Sequence, residues 1–254
     1  NVAAGCSTLR GSAPWMARGT RRPFACARNG SAAMARWGAA LRVSTGTMAW
    51  HFQTTPGDNW DYDATQPLVQ ADLQINGQAR KVIMQANKNG YFYMLDRATG
   101  EFISGTAFVD GINWATGLDP KTGRPIEAPG VAGAAPEIIS PDPGGAHNWN
   151  PMAFSPATGY MYLAAKTRMR MVHAPDPKWK YNPDKFNLGI DDSYDGPLYA
   201  KMFSMPPPYG ELIAWDPVAK KSAWRVKYPV VEGGGALATA GNLVMQRRAD
   251  GILA

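Results

Sequence analysis

The fold is decided by Lys81-Val82-Ile83-Met84-Gln85-Ala86-Asn87-Lys88-Asn89-Gly90-Tyr91-Phe92-Tyr93-Met94-Leu95-Asp96-Arg97-Ala98-Thr99-Gly100. Two β-rich runs, 81–86 and 91–95, flank an Asn-Gly turn, which predicts a β-hairpin. The chain turns again at Asp96 to Gly100. Outward from this stretch the pattern recurs. Runs 152–155 and 160–164 flank Pro156-Ala157-Thr158-Gly159. Runs 212–215 and 223–228 flank Asp216-Pro217-Val218-Ala219-Lys220, and runs 236–239 and 243–246 flank Ala240-Gly241-Asn242. Residues 50–53 form a short aromatic strand candidate. Short strands joined by Gly-bearing turns argue for an all-β chain.

Several turns read as copies of one corner: Val43-Ser44-Thr45-Gly46 followed by Trp50, Asp96 to Gly100, Pro156 to Gly159, and Asp216 to Lys220 followed by Trp224. A corner repeated every 50 residues or so, roughly, suggests a β-propeller built of four-stranded blades. An ordinary β-sandwich is the alternative that this pattern leaves open. The polar stretch from Lys166 to Gly210 is too long for a turn and is expected to cover one face of the domain.

The composition agrees. Of 254 residues, 45% are hydrophobic, with nine Trp, 27 Gly and 21 Pro, which favours many short elements and excludes a long-helix or disordered chain. The formal charge is +6, yet residues 1–42 hold Arg10, Arg18, Arg21, Arg22, Arg28, Arg36 and Arg42 and no acid. The remainder is near neutral, so no nucleic-acid partner is implied for it. Cys6 and Cys26 also lie in this Ala/Gly/Arg-rich segment, which has the composition of a GC-rich gene read out of frame and is expected to lie outside the native fold. The domain proper is expected at 43–254. A basic arm binding anionic partners is the other reading of 1–42. No apolar run is long enough for a transmembrane segment.

Phosphate loops, metal-spaced histidines and nucleophile elbows are absent. Three segments carry possible chemistry. In Pro56-Gly57-Asp58-Asn59-Trp60-Asp61-Tyr62, the Asp61 carboxylate lies between two aromatics, a partly desolvated place that suits a general base or a hard-cation ligand. A turn Asp that caps backbone amides is the simpler alternative. Lys88 sits on a tight turn, where a lysine is usually solvated. In Gly145-Ala146-His147-Asn148-Trp149-Asn150-Pro151, Asn148 and Trp149 together offer amide hydrogen bonds and a stacking face; packing is the alternative for the Trp.

Taken together, these segments resemble the pyrroloquinoline quinone (PQQ)-dependent alcohol dehydrogenases, nearest the quinohaemoprotein ethanol dehydrogenase branch. The resemblance runs from about Val43 to Gly251 and includes Trp50 to Tyr62, Asn87 to Arg97, Asn113-Trp114-Ala115-Thr116-Gly117, Gly145 to Met152, Leu212 to Pro217 and Gly234 to Asn242. It implies part of an eight-bladed β-propeller, roughly four blades, with PQQ and calcium near the axis. It implies that Asp61 is the catalytic base and a calcium ligand, that Lys88 bonds the quinone oxygens, and that Asn148 and Trp149 contact the far side of the cofactor. The implied reaction is oxidation of a small alcohol by hydride transfer to PQQ in the periplasm, with a cytochrome c or another redox protein as acceptor. The branch's Cys-x-x-Cys-His site does not occur in this sequence, so haem c would belong to a longer protein. With the other calcium ligands also missing, the chain is expected to be a partial and inactive copy. A non-catalytic propeller module for binding or scaffolding is the alternative.

Overall fold

The computed structural model describes residues 37–254, apart from 132, 185, 186, 192 and 232. Cys6, Cys26 and the first six arginines fall outside the described residues. The first element is a hairpin of β1 (Trp37–Leu41) and β2 (Met48–Gln53), paired antiparallel. The boundary expected after Arg42 therefore falls in this hairpin's turn, where Gly46 takes φ +67° and its amide bonds the Arg42 carbonyl.

Two four-stranded antiparallel sheets follow. The first is β3 (Val69–Ile75), β4 (Gln78–Ala86), β5 (Tyr91–Asp96) and β6 (Phe102–Ala107), in that order. A hairpin of β7 (Ala115–Leu118) and β8 (Pro125–Glu127) leads to the short β9 (Glu137–Ile139). The second sheet starts with β10 (Ala153–Ser155) and β11 (Tyr160–Thr167). The chain then leaves for β12 (Met171–His173), which pairs with β9, and for helix α1 (Leu198–Ser204). It returns as β13 (Tyr209–Asp216) and β14 (Lys221–Tyr228), with Tyr209 opposite Thr167, so the sheet order is β10-β11-β13-β14. A last hairpin joins β15 (Gly233–Ala238) and β16 (Val244–Arg248). Among the described residues, the expected four blades thus appear as two complete ones with a two-stranded portion on each flank.

The two complete sheets pack face to face. Met84, Phe92 and Met94 meet Met161, Leu163, Ile213 and Trp215, and the Phe92 and Trp215 rings lie 5.6 Å apart. The opposite face of β5 presents Tyr91 and Tyr93 to Trp60, Tyr62 and Trp114. The inner strands are covered on both faces, which is why they read as continuous apolar runs without alternation. The open-faced β3 alternates instead.

The corners lock neighbouring sheets. Asp96 Oδ1 accepts bonds from the amides of Ala98 and Thr99 and from the Thr99 hydroxyl, and Asp119 repeats the arrangement with Lys121 and Thr122. The fifth position of each corner, Gly100 and Gly123, is left-handed at φ +75° and +68°. The Trp50 indole lies on Gly100 and donates to the Arg97 carbonyl at 3.2 Å, joining β2 to the corner of the first complete sheet.

A Cβ on Gly100 would lie 2.6 Å from the Trp50 ring, whereas Gly159, at nearly the same φ, has nothing within 4 Å. Gly159→Ala should therefore show the backbone penalty alone, about 1 kcal/mol. Gly100→Ala should cost about 2–4 kcal/mol because the indole is displaced as well. Urea unfolding of the two variants measures the difference, and equal losses would contradict the docking role of Trp50.

Candidate functional site

The site forms where the β4–β5 turn meets the segments at 58–66 and 142–150. The turn is held from inside. Asn87 Nδ2 donates to Gln85 Oε1 at 3.1 Å, Asn89 Nδ2 donates to Thr55 Oγ1 at 3.1 Å and the Tyr93 hydroxyl donates to the Thr54 carbonyl at 3.1 Å. Trp114 Nε1 donates to the Asn89 carbonyl at 2.9 Å. These bonds satisfy Asn87 and Asn89, both fully buried.

Lys88, on the same turn, is buried rather than solvated: its side chain is 7% exposed. It is the one buried lysine or arginine among the described residues. A buried ammonium needs counter-charge and acceptors. Lys88 Nζ donates to the Asp61 carbonyl at 2.9 Å and to Asp61 Oδ2 at 3.1 Å, and it also bonds Asp63 Oδ1. Asp61 reaches this position at φ +64°, a left-handed conformation that costs a non-glycine residue about 1 kcal/mol. That turn brings both its carbonyl and its carboxylate to one ammonium.

The flanking aromatics do not desolvate Asp61. Trp60 and Tyr62 turn inward, 2% and 0% exposed, and pack at a tilt against Trp114, while the Asp61 side chain turns out and stays 56% exposed. Burial falls on the phenol instead. It pushes the Tyr62 hydroxyl well above its usual range, with Asp58, Asp142 and Glu137 adding to the effect, and the neutral hydroxyl donates to the Pro141 carbonyl at 2.5 Å.

Asn148 is tied to this cluster through Thr65, and Trp149 follows it in the chain. Gly145, at φ +73°, lies against Lys88; a Cβ there would sit 2.6 Å from Lys88 Cα. The Ala146 amide donates to the Lys88 carbonyl at 2.9 Å. Asn148 Nδ2 donates to the Gly144 carbonyl at 2.9 Å, and Asn148 Oδ1 accepts from the Trp149 amide at 2.8 Å and from Thr65 Oγ1 at 3.3 Å. Trp149 leaves its indole 68% exposed. The structure thus joins Asp61 and Lys88 directly, and it links Asn148 to them through Thr65 and the Asp63 carbonyl, which accepts the Thr65 amide.

Asp63, Thr65, Gln66 and His147 enter the site without having been singled out by sequence. Asp63 had a legible signal, since residues two apart in extended chain share a side. His147 is 1% exposed, and its Nδ1 lies 2.6 Å from the Ala164 carbonyl. Burial lowers its pKa to about 4 and the Lys166 ammonium adds to this, against the opposing effect of its backbone partners.

Two carboxylates for one ammonium leave a surplus negative charge beside an exposed oxygen. That donor set suits part of a hard-cation shell but falls short of the six to eight oxygens that calcium takes, roughly. No group of three or more His, Cys, Asp or Glu side chains able to hold a metal occurs among the described residues. The bare Trp149 face suits a planar ring, and the surplus negative charge means that an anionic ligand would need a cation beside it. No described helix is long and apolar enough to cross a membrane.

Known proteins share the sequence and the fold of this chain. Residues 24–107 match the PQQ family model described as glucose/ethanol/alcohol dehydrogenase, beta-propeller domain, so the match begins within the Arg-rich segment. The chain is 48% identical over 222 residues to a quinohemoprotein alcohol dehydrogenase of Comamonas testosteroni, covering 84% of this chain and 30% of that protein. It is 45% identical over 220 residues to a 1-butanol dehydrogenase (cytochrome c) of Thauera butanivorans, covering 84% of this chain and 31% of the relative. The crystal structure of the Comamonas testosteroni enzyme superposes with a TM-score of 0.75 at 42% identity, over 84% of this chain and 32% of that one. The chain therefore spans less than a third of the length of these relatives.

The buried imidazole gives a pH prediction. Its folded pKa of about 4 lies below the ordinary 6.5, so the unfolded chain binds more protons between these values. Stability should fall as pH drops from about 6.5 to about 4. Burial shifts His173 in the same direction. Thermal midpoints at pH 5 and pH 7 should differ less in His147→Gln than in the parent, and identical differences would show that His147 does not titrate as described.

Proposed function

We propose that the chain is a section of a PQQ-dehydrogenase β-propeller, that the complete propeller oxidises alcohols with PQQ, and that this section carries one side of the cofactor site. The observation that carries the reading is the buried Lys88 ammonium held against the Asp61 carboxylate, with Asn148 linked to the cluster through Thr65 and the exposed Trp149 next to it in sequence. When bound, PQQ supplies the acceptor for the hydride that leaves the carbinol carbon.

The chain's own residues supply the rest. Asp61, exposed and ionisable, accepts the proton of the alcohol hydroxyl. Lys88 gives a fixed positive charge where oxygen becomes more negative during the reaction, and its burial keeps that charge from being screened by water. Its three N–H groups are held by Asp61 and Asp63, so one of those bonds must open for the ammonium to donate to a ligand oxygen. Asn148 and Trp149 orient the ring plane through the amide and the open indole face. Asp61, aided by Asp63, would form part of a calcium shell, which further oxygens must complete. The name of one relative, 1-butanol dehydrogenase (cytochrome c), supports an electron-transfer protein as acceptor, and the family resemblance supports a periplasmic reaction. With the shell incomplete, this section alone binds PQQ weakly and turns over poorly or not at all.

Equilibrium dialysis of the 254-residue chain with PQQ and calcium tests this reading. Weak, saturable binding is expected. Trp149→Ala, at an exposed position, should weaken it about tenfold without changing the unfolding midpoint. Tight stoichiometric binding would overturn the partial-site reading, and an unaffected Trp149→Ala would overturn the placement of the site.

A further inference from the structure

The segment 145–151 crosses three sheets, and of its fully buried side chains, Ala146 and His147, only the imidazole carries a polar atom that bonds into a neighbouring strand. The Ala146 amide bonds the Lys88 carbonyl of the first complete sheet. The Ala146 carbonyl accepts the Lys166 amide at 2.7 Å from the second. The Pro151 carbonyl accepts the Ala236 amide at 2.9 Å, and Asn150 Nδ2 donates to the Gly233 carbonyl at 2.8 Å, both on β15. In the middle stands His147. Its carbonyl accepts Gln66 Nε2 at 3.2 Å, and its ring is closed in against β11.

We propose that His147 is a positioning residue: its neutral Nδ1–H tautomer, clamped to the Ala164 carbonyl, turns the two residues that follow it, Asn148 and Trp149, out of the core. The tautomer follows from chemistry. A carbonyl only accepts, so at 2.6 Å the proton must sit on Nδ1. The Lys166 ammonium is the charged group that faces the ring, and it disfavours an imidazolium there. With the imidazole anchored inward, Asn148 is free to close its bond to the Gly144 carbonyl and to accept the Trp149 amide. Without the anchor the segment would keep its bonds at 146 and 151 but lose the fixed direction of the residues between them.

This inference rests on the cofactor reading for what the positioning serves, but its tests contain no cofactor, so either can fail without the other. The first is the imidazole ¹⁵N spectrum of the unmodified chain at neutral pH. A protonated Nδ1 with a bare Nε2 is expected, and the Nε2–H tautomer would overturn the proposal alone. The second is amide hydrogen exchange in His147→Leu and His147→Asn. The leucine variant should speed exchange at Trp149 about tenfold while amides of β4 and β13 stay protected, and the asparagine variant, which keeps an N–H donor, should restore protection. Unchanged exchange at Trp149 in the leucine variant, or an equal rise at every amide, would contradict a positioning role.

Discussion

Everything at this site depends on a lysine ammonium that is buried on a β-turn. A charge in such a place is unfavourable unless oxygen acceptors surround it. Lys88 obtains them from the segment at 61–63, which lies outside its own sheet, and this requirement draws the loop after β2 across the mouth of the β4–β5 turn. The left-handed backbone at Asp61 belongs to the same constraint, since it turns carbonyl and carboxylate to one donor. The aromatic trio of Trp60, Tyr62 and Trp114 gives that loop a rigid floor, and the exposed oxygen of Asp61 is what remains for chemistry.

A second layer stabilises the blade order. The Trp50 indole on the Gly100 corner joins the first hairpin to the first complete sheet. Between the two complete sheets, Glu211 is fully buried and accepts from Thr167 and Arg225, while Arg225 also donates to the Phe108 carbonyl at 2.7 Å. The Phe108 amide in turn bonds Gly90, the last residue of the Lys88 turn. The ion pair of the second sheet is thus connected through backbone to the turn that carries the site.

Much of the fold was legible. The hairpins at 81–95, 153–164, 212–228 and 236–246 carry their own turn signals, and the structure forms each of them. β3 has a clear period-two alternation in Val-Gln-Ala-Asp-Leu-Gln-Ile, and Asp119-Pro120-Lys121-Thr122-Gly123 repeats the corner; both signals were present but weaker than their neighbours. The site was less legible. Asp61 and Lys88 are 27 residues apart and Asn148 is 83 from Thr65, and no local pattern states that they meet. The resemblance to a family named these residues. The burial of Lys88, the exposure of Asp61 and the roles of Asp63 and His147 required the structure.

The central claim is that Lys88, Asp61, Asn148 and Trp149 form one ligand-binding surface for PQQ. A titration of the ¹⁵N-labelled chain with PQQ in the presence of calcium tests it most directly. The account predicts that shifts concentrate at the Lys88 turn, at residues 61–65 and at the Trp149 indole N–H. Shifts confined to a distant surface, such as the 310 Å³ cavity lined by Arg170, Tyr199 and Met202, would contradict it.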